Sequence, residues 1–261
     1  MTSASSRTSK VMTSFTRPIF PFVVGCSRSG TTLLRALLDA HPLLAVPPES
    51  HFALARDARA LRRALRRDPW FGLWGIETPG LRGLDVADAV RALFAAYAAV
   101  HGKPRYADKT PHYVSHLLAL AERFHDARFV HVVRDGRDVA LWLLEVPWGP
   151  DDVEGAALYW RRRVLEGRDA RLGPERYREL RYEALVADPE RELRALGAWL
   201  QLPYDPAMLE RRPLAVPYPE HHRRLELAPT PGLRDWRREM SAADAARFQA
   251  VAGDALAELG Y

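Results

Sequence analysis

Two short apolar runs stand out along the chain. Residues 19–26 read IFPFVVGC and residues 129–133 read FVHVV, and polar or turn-forming residues bound each run. Runs of this length predict strands that are buried on both faces. After the first run and a polar turn, residues 31–40 place four leucines on one helical face. The pattern therefore predicts a strand, a polar turn and a helix in this order.

The periodicity of the remaining chain is mostly helical. It predicts a third strand over residues 177–182 and six further helices. These helices cover residues 53–67, 86–100, 115–124, 153–171, 189–200 and 241–259. Strands that alternate with helices indicate an α/β fold, in which a mainly parallel central sheet carries helices on both faces.

The beginning of the chain differs from the rest in composition. Residues 1–17 are rich in Ser and Thr and lack the apolar run of a secretory signal, so we expect a mobile tail. Residues 18–261 then form a single expected domain. No apolar stretch approaches the ~18 residues of a membrane-spanning helix. The single cysteine, Cys26, excludes an intrachain disulfide and a Cys-built zinc site.

The charge balance favours an anionic ligand without indicating a nucleic-acid binder. Lys and Arg total 38 against 33 Asp and Glu, for a formal net charge of +5. Only three of the basic residues are lysines, and we interpret this preference for arginine mainly as a general amino-acid composition bias of the source. A small positive surplus suits one anionic ligand but is low for a protein dedicated to nucleic acid.

The polar turn after the first strand has the form of a phosphate-binding loop. Gly25 and Gly30 have the spacing of G-x-x-x-x-G-K-[ST], but Thr31 stands where that pattern has lysine. In such a loop, backbone N–H groups and a helix N-terminus converge on an anion. Arg28 adds a permanent charge. The sequence therefore predicts a P-loop-type fold, the alternative being a turn that only caps a structural helix.

The end of the second strand argues against a magnesium-dependent reaction. Nucleotide hydrolases and kinases with this loop use the missing lysine, and a carboxylate after a second strand helps to hold magnesium. Here the second strand ends at Arg134, which cannot ligate a metal. We therefore expect a phosphorylated ligand that is handled without a metal ion.

Three segments together resemble one enzyme family. CSRSGTTLL at residues 26–34 resembles the 5′-phosphosulfate loop of sulfotransferases that use 3′-phosphoadenosine 5′-phosphosulfate (PAPS). FVHVVRDGRD at residues 129–138 is similar to their 3′-phosphate motif, and RYE at residues 181–183 to a later family segment. The stretch at residues 28–49 looks especially like the tyrosylprotein and bacterial branches. The resemblance covers most of residues 18–200, in family order.

The resemblance assigns donor-binding roles to the loop. It implies that Arg28, Ser29, Gly30, Thr31 and Thr32 wrap the 5′-phosphosulfate. Arginine at position 28 matches the tyrosylprotein branch, whereas many cytosolic members have lysine there.

The resemblance also assigns the 3′-phosphate side of the donor. Arg134 would hold the 3′-phosphate, and Tyr182 would approach the adenine or the 3′-phosphate. The family's usual serine partner is replaced here by Trp142. The family also has a C-terminal motif that combines basic residues, glycine and Gly-Asp-Trp-Lys. Residues 230–237 read TPGLRDWR, so Asp235 and Trp236 resemble this motif, but its leading basic pair is missing. The arginines that could substitute are Arg223, Arg224, Arg234 and Arg237.

Glu49 corresponds by resemblance to the catalytic base. A carboxylate near an acceptor hydroxyl can take its proton during attack. The alternative is that Glu49 only complements the N-terminus of the following helix. Because other family members use histidine as the base, His51 and His41 are rivals.

Lys109 corresponds by resemblance to a transition-state cation. Sulfuryl transfer should build negative charge on the leaving oxygen, and a positioned cation offsets it. Arg28 would share this role. The alternative is a solvated loop lysine.

The resemblance thus implies transfer of a sulfuryl group from PAPS to a hydroxyl acceptor, leaving adenosine 3′,5′-bisphosphate (PAP). The acceptor, a small molecule or a peptide, would be shaped by a helical insertion at residues 50–105. We expect no metal, nucleic-acid or membrane partner, and a bacterial, cytoplasmic protein; the oligomeric state is open. The alternatives are a small-molecule kinase on a P-loop-like fold and a non-catalytic module that binds nucleotide or nucleic acid.

Overall fold

A sheet of parallel strands forms the centre of the protein. The structure is a computed structural model that describes residues 18–69, 71–210 and 234–261, so the predicted tail at residues 1–17 lies outside the described residues. Four strands form the central sheet in the order β4-β1-β5-β6, and β2 pairs with β3. The strands are β1 (Phe20–Gly25), β2 (Leu44–Ala45), β3 (Arg105–Tyr106), β4 (Asp108–Lys109), β5 (Ala127–Val133) and β6 (Tyr177–Arg181).

Helices make up most of the remaining described chain. They are α1 (Thr31–Asp39), α2 (Ala58–Arg67), α3 (Val86–Val100), α4 (Leu117–Arg123), α5 (Gly136–Leu143), α6 (Val153–Asp169), α7 (Tyr182–Ala187), α8 (Pro189–Leu200), α9 (Trp236–Glu239) and α10 (Ala242–Leu259). Among these helices, none combines the length and the apolar character needed to cross a bilayer.

The side chains of β1 alternate between two apolar cores. Phe20, Phe22 and Val24 pack with residues of α2, α3 and α4 on one face. Val23 packs with residues of α1 and α8 on the other. Successive side chains of a strand point to opposite faces, so β1 is buried on both. The predicted α/β fold, with a mainly parallel sheet between helices, is confirmed. That residues 18–261 form one domain stays a prediction.

Most predicted elements are observed close to their expected bounds, but two helices begin later than predicted. The helix expected at residues 53–67 starts with a 3₁₀ turn, Phe52–Leu54, and α2 begins only at Ala58. The side chain of Asp57 explains this start, because it accepts the N–H of Ala60 at 2.7 Å and caps the helix. Similarly, a 3₁₀ turn at Pro111–His116 precedes α4.

The register of the central sheet brings its strand ends to one edge. Val23 of β1 lies opposite Lys109, the last residue of β4. Gly25 at the end of β1 lies opposite Val132 in β5. Val133, which ends β5, lies opposite Arg181, which ends β6. Ligands of open parallel sheets bind outside these carboxyl ends, so this edge is where a functional site is expected.

His131 is a buried titratable group in the middle of the sheet. Its Nδ1 lies 2.6 Å from the hydroxyl of Tyr177 on β6, and that hydroxyl also donates to Glu179 at 3.0 Å. Burial lowers the pKa of His131 from 6.5 to about 4, although Glu179 opposes the shift. The folded protein therefore holds this imidazole neutral.

We predict that His131 makes the fold acid-sensitive. The unfolded chain binds a proton at this histidine near pH 6.5 and the folded chain only near pH 4. The free energy of unfolding should therefore fall by up to about 3 kcal/mol as the pH drops through this window. Urea unfolding of the wild type and His131→Gln between pH 7 and pH 4 measures the effect. The variant should lose this part of the slope, and equal slopes would contradict the prediction.

Candidate functional site

The loop between β1 and α1 closes tightly against the neighbouring strand. A Cβ atom on Gly25 would lie 2.6 Å from the carbonyl oxygen of Val132, so only glycine fits there. Arg28 has φ 72° and Gly30 has φ 97°, and the N–H of Ser29 donates to the carbonyl of Cys26 at 3.2 Å. The N-cap of α1 is Gly30, which has no side chain that could cap the first turn. The amides of a helix's first turn lack intrahelical acceptors, which suits them to an anion.

Arg134 and Tyr182 converge on this loop from the next two strands. The guanidinium carbon of Arg134 lies 4.3 Å from the centroid of the Tyr182 ring. The same ring packs against Gly30, where a Cβ atom would lie 2.3 Å from the ring carbon Cδ2. Arg134 is almost fully buried, and its Nε has no hydrogen-bond partner among the described residues. The three segments that carry the resemblance, at residues 26–34, 129–138 and 181–183, therefore meet.

Glu183, in the segment RYE at residues 181–183, stabilises the turn that follows β5. One oxygen of Glu183 accepts the N–H of Asp135 at 2.9 Å, and the other accepts the hydroxyl of Tyr261 at 2.9 Å. The indole N–H of Trp160 also donates to the carbonyl of Arg134 at 3.1 Å. Two hydrogen bonds to adjacent backbone groups thus fix the turn that presents Arg134.

Arg28 is a residue of the loop itself and has different neighbours from Arg134. Its guanidinium carbon lies 5.9 Å from the ring centroid of Trp148, an indole that is 58% exposed. Partial burial lowers the pKa of Arg28, and the charges of Glu49 and Glu145 oppose this shift. The Nε of Arg28 is buried without a partner in the described structure. Both arginines therefore keep an Nε–H group that can donate a hydrogen bond to an anion.

Glu49 and Lys109 form an ion pair beside Arg28. The Nζ of Lys109 lies 2.6 Å from Oε1 of Glu49. The lysine side chain is fully buried, whereas the glutamate side chain is 38% exposed. The alternative of a solvated loop lysine is therefore wrong. The carboxylate can face a solvent-borne acceptor while its position is held by a buried cation.

The histidine rivals for the base are placed differently from Glu49. His41 is buried; its Nδ1 accepts the N–H of Leu43 at 3.0 Å, and its Nε2 lies 2.7 Å from the carbonyl of Pro203. These contacts give His41 a structural role in joining loops. His51 is exposed, and its ring centroid lies 6.2 Å from that of His112.

The position of the usual serine is filled by a stacked pair. The guanidinium carbon of Arg234 lies 4.4 Å from the ring centroid of Trp142, and Arg234 forms ion pairs with Glu145 and Glu239. Sequence reasoning named Trp142 and Arg234 but did not bring them together. Of the other candidate arginines, Arg223 and Arg224 lie outside the described residues.

Trp236 attaches the C-terminal segment to the segment at residues 129–138. Its backbone N–H donates to Asp138 at 2.9 Å, and its indole N–H donates to Asp135 at 3.1 Å. Asp138 also lies 3.5 Å from Arg134. The guanidinium of Arg137 stacks on the Trp236 ring at 3.8 Å, whereas Arg237 lies 4.7 Å from the same ring. The sequence analysis did not identify the role of Asp138, because nothing in the local pattern shows which distant N–H reaches it.

No metal cluster accompanies these residues in the described part of the chain. There, no group of three or more His, Cys, Asp or Glu side chains is arranged to hold a metal ion. Three cations lie at or just after neighbouring strand ends, namely Arg28, Lys109 and Arg134, and Glu49 pairs with Lys109.

A protein-family model described as the sulfotransferase family matches residues 18–206. The chain belongs to this sulfotransferase family. Protein-tyrosine sulfotransferase A of Caenorhabditis elegans is 26% identical to it over 209 residues, which are 75% of this chain and 53% of that protein. The chain spans about half the length of several curated relatives that it matches.

Solved sulfotransferase structures share the fold. The sulfotransferase domain of the Synechococcus PCC 7002 olefin synthase aligns with a TM-score of 0.65 and 26% identity, over 91% of this chain and 94% of that one. Mouse sulfotransferase SULT7A1, solved in complex with PAP, aligns with a TM-score of 0.53 and 13% identity, over 92% and 84% of the two chains. The second likeness concerns the fold alone.

We predict that Gly30→Ala disrupts the donor side of this sulfotransferase. The new methyl group would collide with Tyr182, and the φ of 97° adds backbone strain of about 1–2 kcal/mol. Titration calorimetry should show PAP binding weakened at least tenfold.

Gly83→Ala is the matched control for this substitution. Gly83 has φ 81°, but a Cβ atom there would meet nothing within 4 Å. This variant should lose stability through strain while it keeps its affinity for PAP. Equal affinities of the two variants would show that the contact with Tyr182 is irrelevant to binding.

Proposed function

We propose that this sulfotransferase transfers a sulfuryl group from PAPS to a hydroxyl acceptor. The observation that carries the proposal is the pair Arg28 and Arg134: Arg28 lies in the loop after β1, and Arg134 follows β5 and contacts the Tyr182 ring that packs on Gly30 of this loop. Each has a buried Nε without a partner among the described residues. Guanidinium groups make charge-assisted hydrogen bonds to phosphate and sulfate oxygens, so two of them after neighbouring strands favour a ligand with more than one anionic group.

The residues at the strand ends fit the donor expected from the family. Arg28 and the loop residues Ser29, Gly30, Thr31 and Thr32 would hold the 5′-phosphosulfate, through side chains and first-turn amides. On the other side, Arg134 would hold the 3′-phosphate, with Tyr182 as its neighbour and Arg234 as a further cation.

Glu49 and Lys109 suit the chemistry of transfer. PAPS supplies an activated sulfuryl group when bound. An acceptor hydroxyl loses its proton as it attacks, and the exposed part of the Glu49 carboxylate can take this proton. Lys109, buried beside Glu49, and Arg28 would offset the negative charge that develops during transfer. The sheet positions Lys109 and the loop, and the ion pair with Lys109 positions Glu49.

The same residues disfavour the kinase alternative. A kinase on this loop would use a lysine at position 31 and a metal-holding carboxylate at position 134, where the chain has Thr31 and Arg134. The family match also supports sulfuryl rather than phosphoryl transfer. A scheme that needs no metal ion is therefore the better proposal.

The acceptor side is proposed from placement alone. Residues 50–105, which contain α2 and α3, follow Glu49 directly and would shape the acceptor pocket. The exposed indole of Trp148 lies beside Arg28 and would contribute from the opposite side. A small-molecule hydroxyl and a peptide tyrosine both fit this description. The bacterial source and the cytoplasmic location expected from the sequence stay predictions.

We predict that PAP stabilises the protein against heat and that ATP does not. At a hundredfold excess over its dissociation constant, a ligand specific for the folded state adds about 2.7 kcal/mol. For a chain of this size, this corresponds to a rise in melting temperature of about 5 °C or more. Differential scanning fluorimetry without magnesium measures the shift. Arg134→Ala should lose most of it, and stabilisation by ATP alone would favour the kinase.

We predict that Glu49→Gln keeps PAP binding and loses turnover. The amide retains the shape of the side chain but cannot accept the acceptor's proton, so kcat should fall about 10²–10⁴-fold. Transfer from ³⁵S-labelled PAPS to a panel of 4-nitrophenol, a tyrosine peptide and a sugar measures turnover. Asp39→Asn is the control, because Asp39 pairs with Lys103, the other lysine of the described chain. Unchanged turnover in Glu49→Gln would remove Glu49 from the role of base.

A further inference from the structure

A buried carboxylate lies next to the ion pair of Glu49 and Lys109 without belonging to it. Asp108 immediately precedes Lys109 in β4, and only 1% of its surface is exposed. Its Oδ2 accepts the hydroxyl of Ser50 at 3.1 Å, and its Oδ1 accepts the hydroxyl of Thr110 at 2.7 Å. Both hydroxyl residues are themselves buried. The proposed transfer chemistry does not use Asp108.

These hydrogen bonds join the two chain segments that carry the ion pair. Glu49 contacts Lys109. Ser50, which follows Glu49, contacts Asp108, which precedes Lys109. The backbone N–H of Ser50 also lies 3.4 Å from the hydroxyl oxygen of Thr110. The ion pair and the hydroxyl–carboxylate cluster are therefore two neighbouring links between the same segments, which are about 60 residues apart in the chain.

The cluster is anchored to the donor loop's own strand. Phe22 and Val23 of β1 lie opposite Asp108 and Lys109, and the N–H of Thr110 donates to the carbonyl of Val23 at 3.2 Å. β4 is therefore held in the central sheet, whereas Glu49 precedes the 3₁₀ turn at Phe52–Leu54. Of the two segments, the one with Glu49 needs the additional support.

Burial of Asp108 is costly unless its hydrogen bonds offset it. Removing a carboxylate from water without partners would cost several kcal/mol. Burial raises the pKa of Asp108 to about 7, with Thr110, Ser50 and Lys109 opposing the shift and Glu49 adding to it. The phenol of Tyr113 is a further titratable group beside it. An apolar residue would fill this place at lower cost, which favours a specific role for the carboxylate.

We infer that Asp108 is a positioning residue: through Ser50 and Thr110 it holds the carboxylate of Glu49 against Lys109 for proton transfer. This inference rests on the proposed role of Glu49 as base. A displacement of about 1 Å at a reacting group can cost about a hundredfold in rate, so loss of one link should lower turnover rather than donor binding.

The test removes one hydroxyl and then restores it. Thr110→Val keeps the size of the side chain but cannot donate to Asp108, whereas Thr110→Ser can. Thr110→Val should lower kcat at least tenfold in the panel assay, with the dissociation constant for PAP within twofold of the wild type. Thr110→Ser should recover most of the rate. Ser115→Ala is the control, since it removes another hydroxyl that donates to a carboxylate, that of Glu166.

A double-mutant cycle and a crystal structure complete the test. Ser50→Ala and Thr110→Val each remove a hydroxyl that donates to Asp108, so their effects on kcat should be clearly less than additive. In crystals of Thr110→Val, the separation of Glu49 Oε1 and Lys109 Nζ should exceed the 2.6 Å of the wild type. An unchanged separation together with unchanged kcat would overturn the inference, as would failure of Thr110→Ser to restore the rate.

The structural measurement separates this inference from the proposed function. If the wild type binds no PAP and turns over no acceptor of the panel, the proposed function fails. If the wild type is active and Thr110→Val lowers only its melting temperature, Asp108 is merely structural and the positioning role is wrong.

Discussion

The parallel register of the central sheet is the constraint on which the site depends. Because all four strands run in one direction, their carboxyl ends lie along one edge, and each end delivers a different group. In spatial order these are Lys109, the loop that contains Arg28, then Arg134 and Tyr182. A slip of one residue in the register of a strand would turn all side chains of that strand to the opposite face, so the apolar cores that fix the register also fix the site.

The two buried cations Arg134 and Lys109 differ in how closely each is paired with a carboxylate. Arg134 keeps a distant carboxylate, Asp138, at 3.5 Å and an aromatic face at 4.3 Å, and so retains hydrogen-bonding capacity for an anion. Lys109 is instead paired at 2.6 Å. Unpaired burial of a charge is expensive, so the loose pairing of Arg134 is typical of a residue that expects a ligand, and the close pairing of Lys109 of one that orients a neighbour.

The sequence predicted the elements and motifs whose signals are local. The apolar run of β1, the loop glycines and the periodicity of α3 each lie within about 15 residues, so pattern alone was sufficient. Contacts between distant segments were beyond it. The ion pair of Glu49 and Lys109 and the stacking of Arg234 on Trp142 depend on how loops return to the sheet. The short helix α5 was missed because it begins at a glycine, directly after the motif strand.

The division of labour between strand ends and loops has an evolutionary consequence. The groups proposed for the donor are fixed by neighbouring strands, whereas the region between Ser50 and β3 joins the site mainly at its two ends. Lineages of such a protein can vary the outer residues of that region, and with them the molecule that is modified, as long as the apolar side chains that cover β1 are kept. One scaffold can in this way diversify its products without reinventing how the activated group is held.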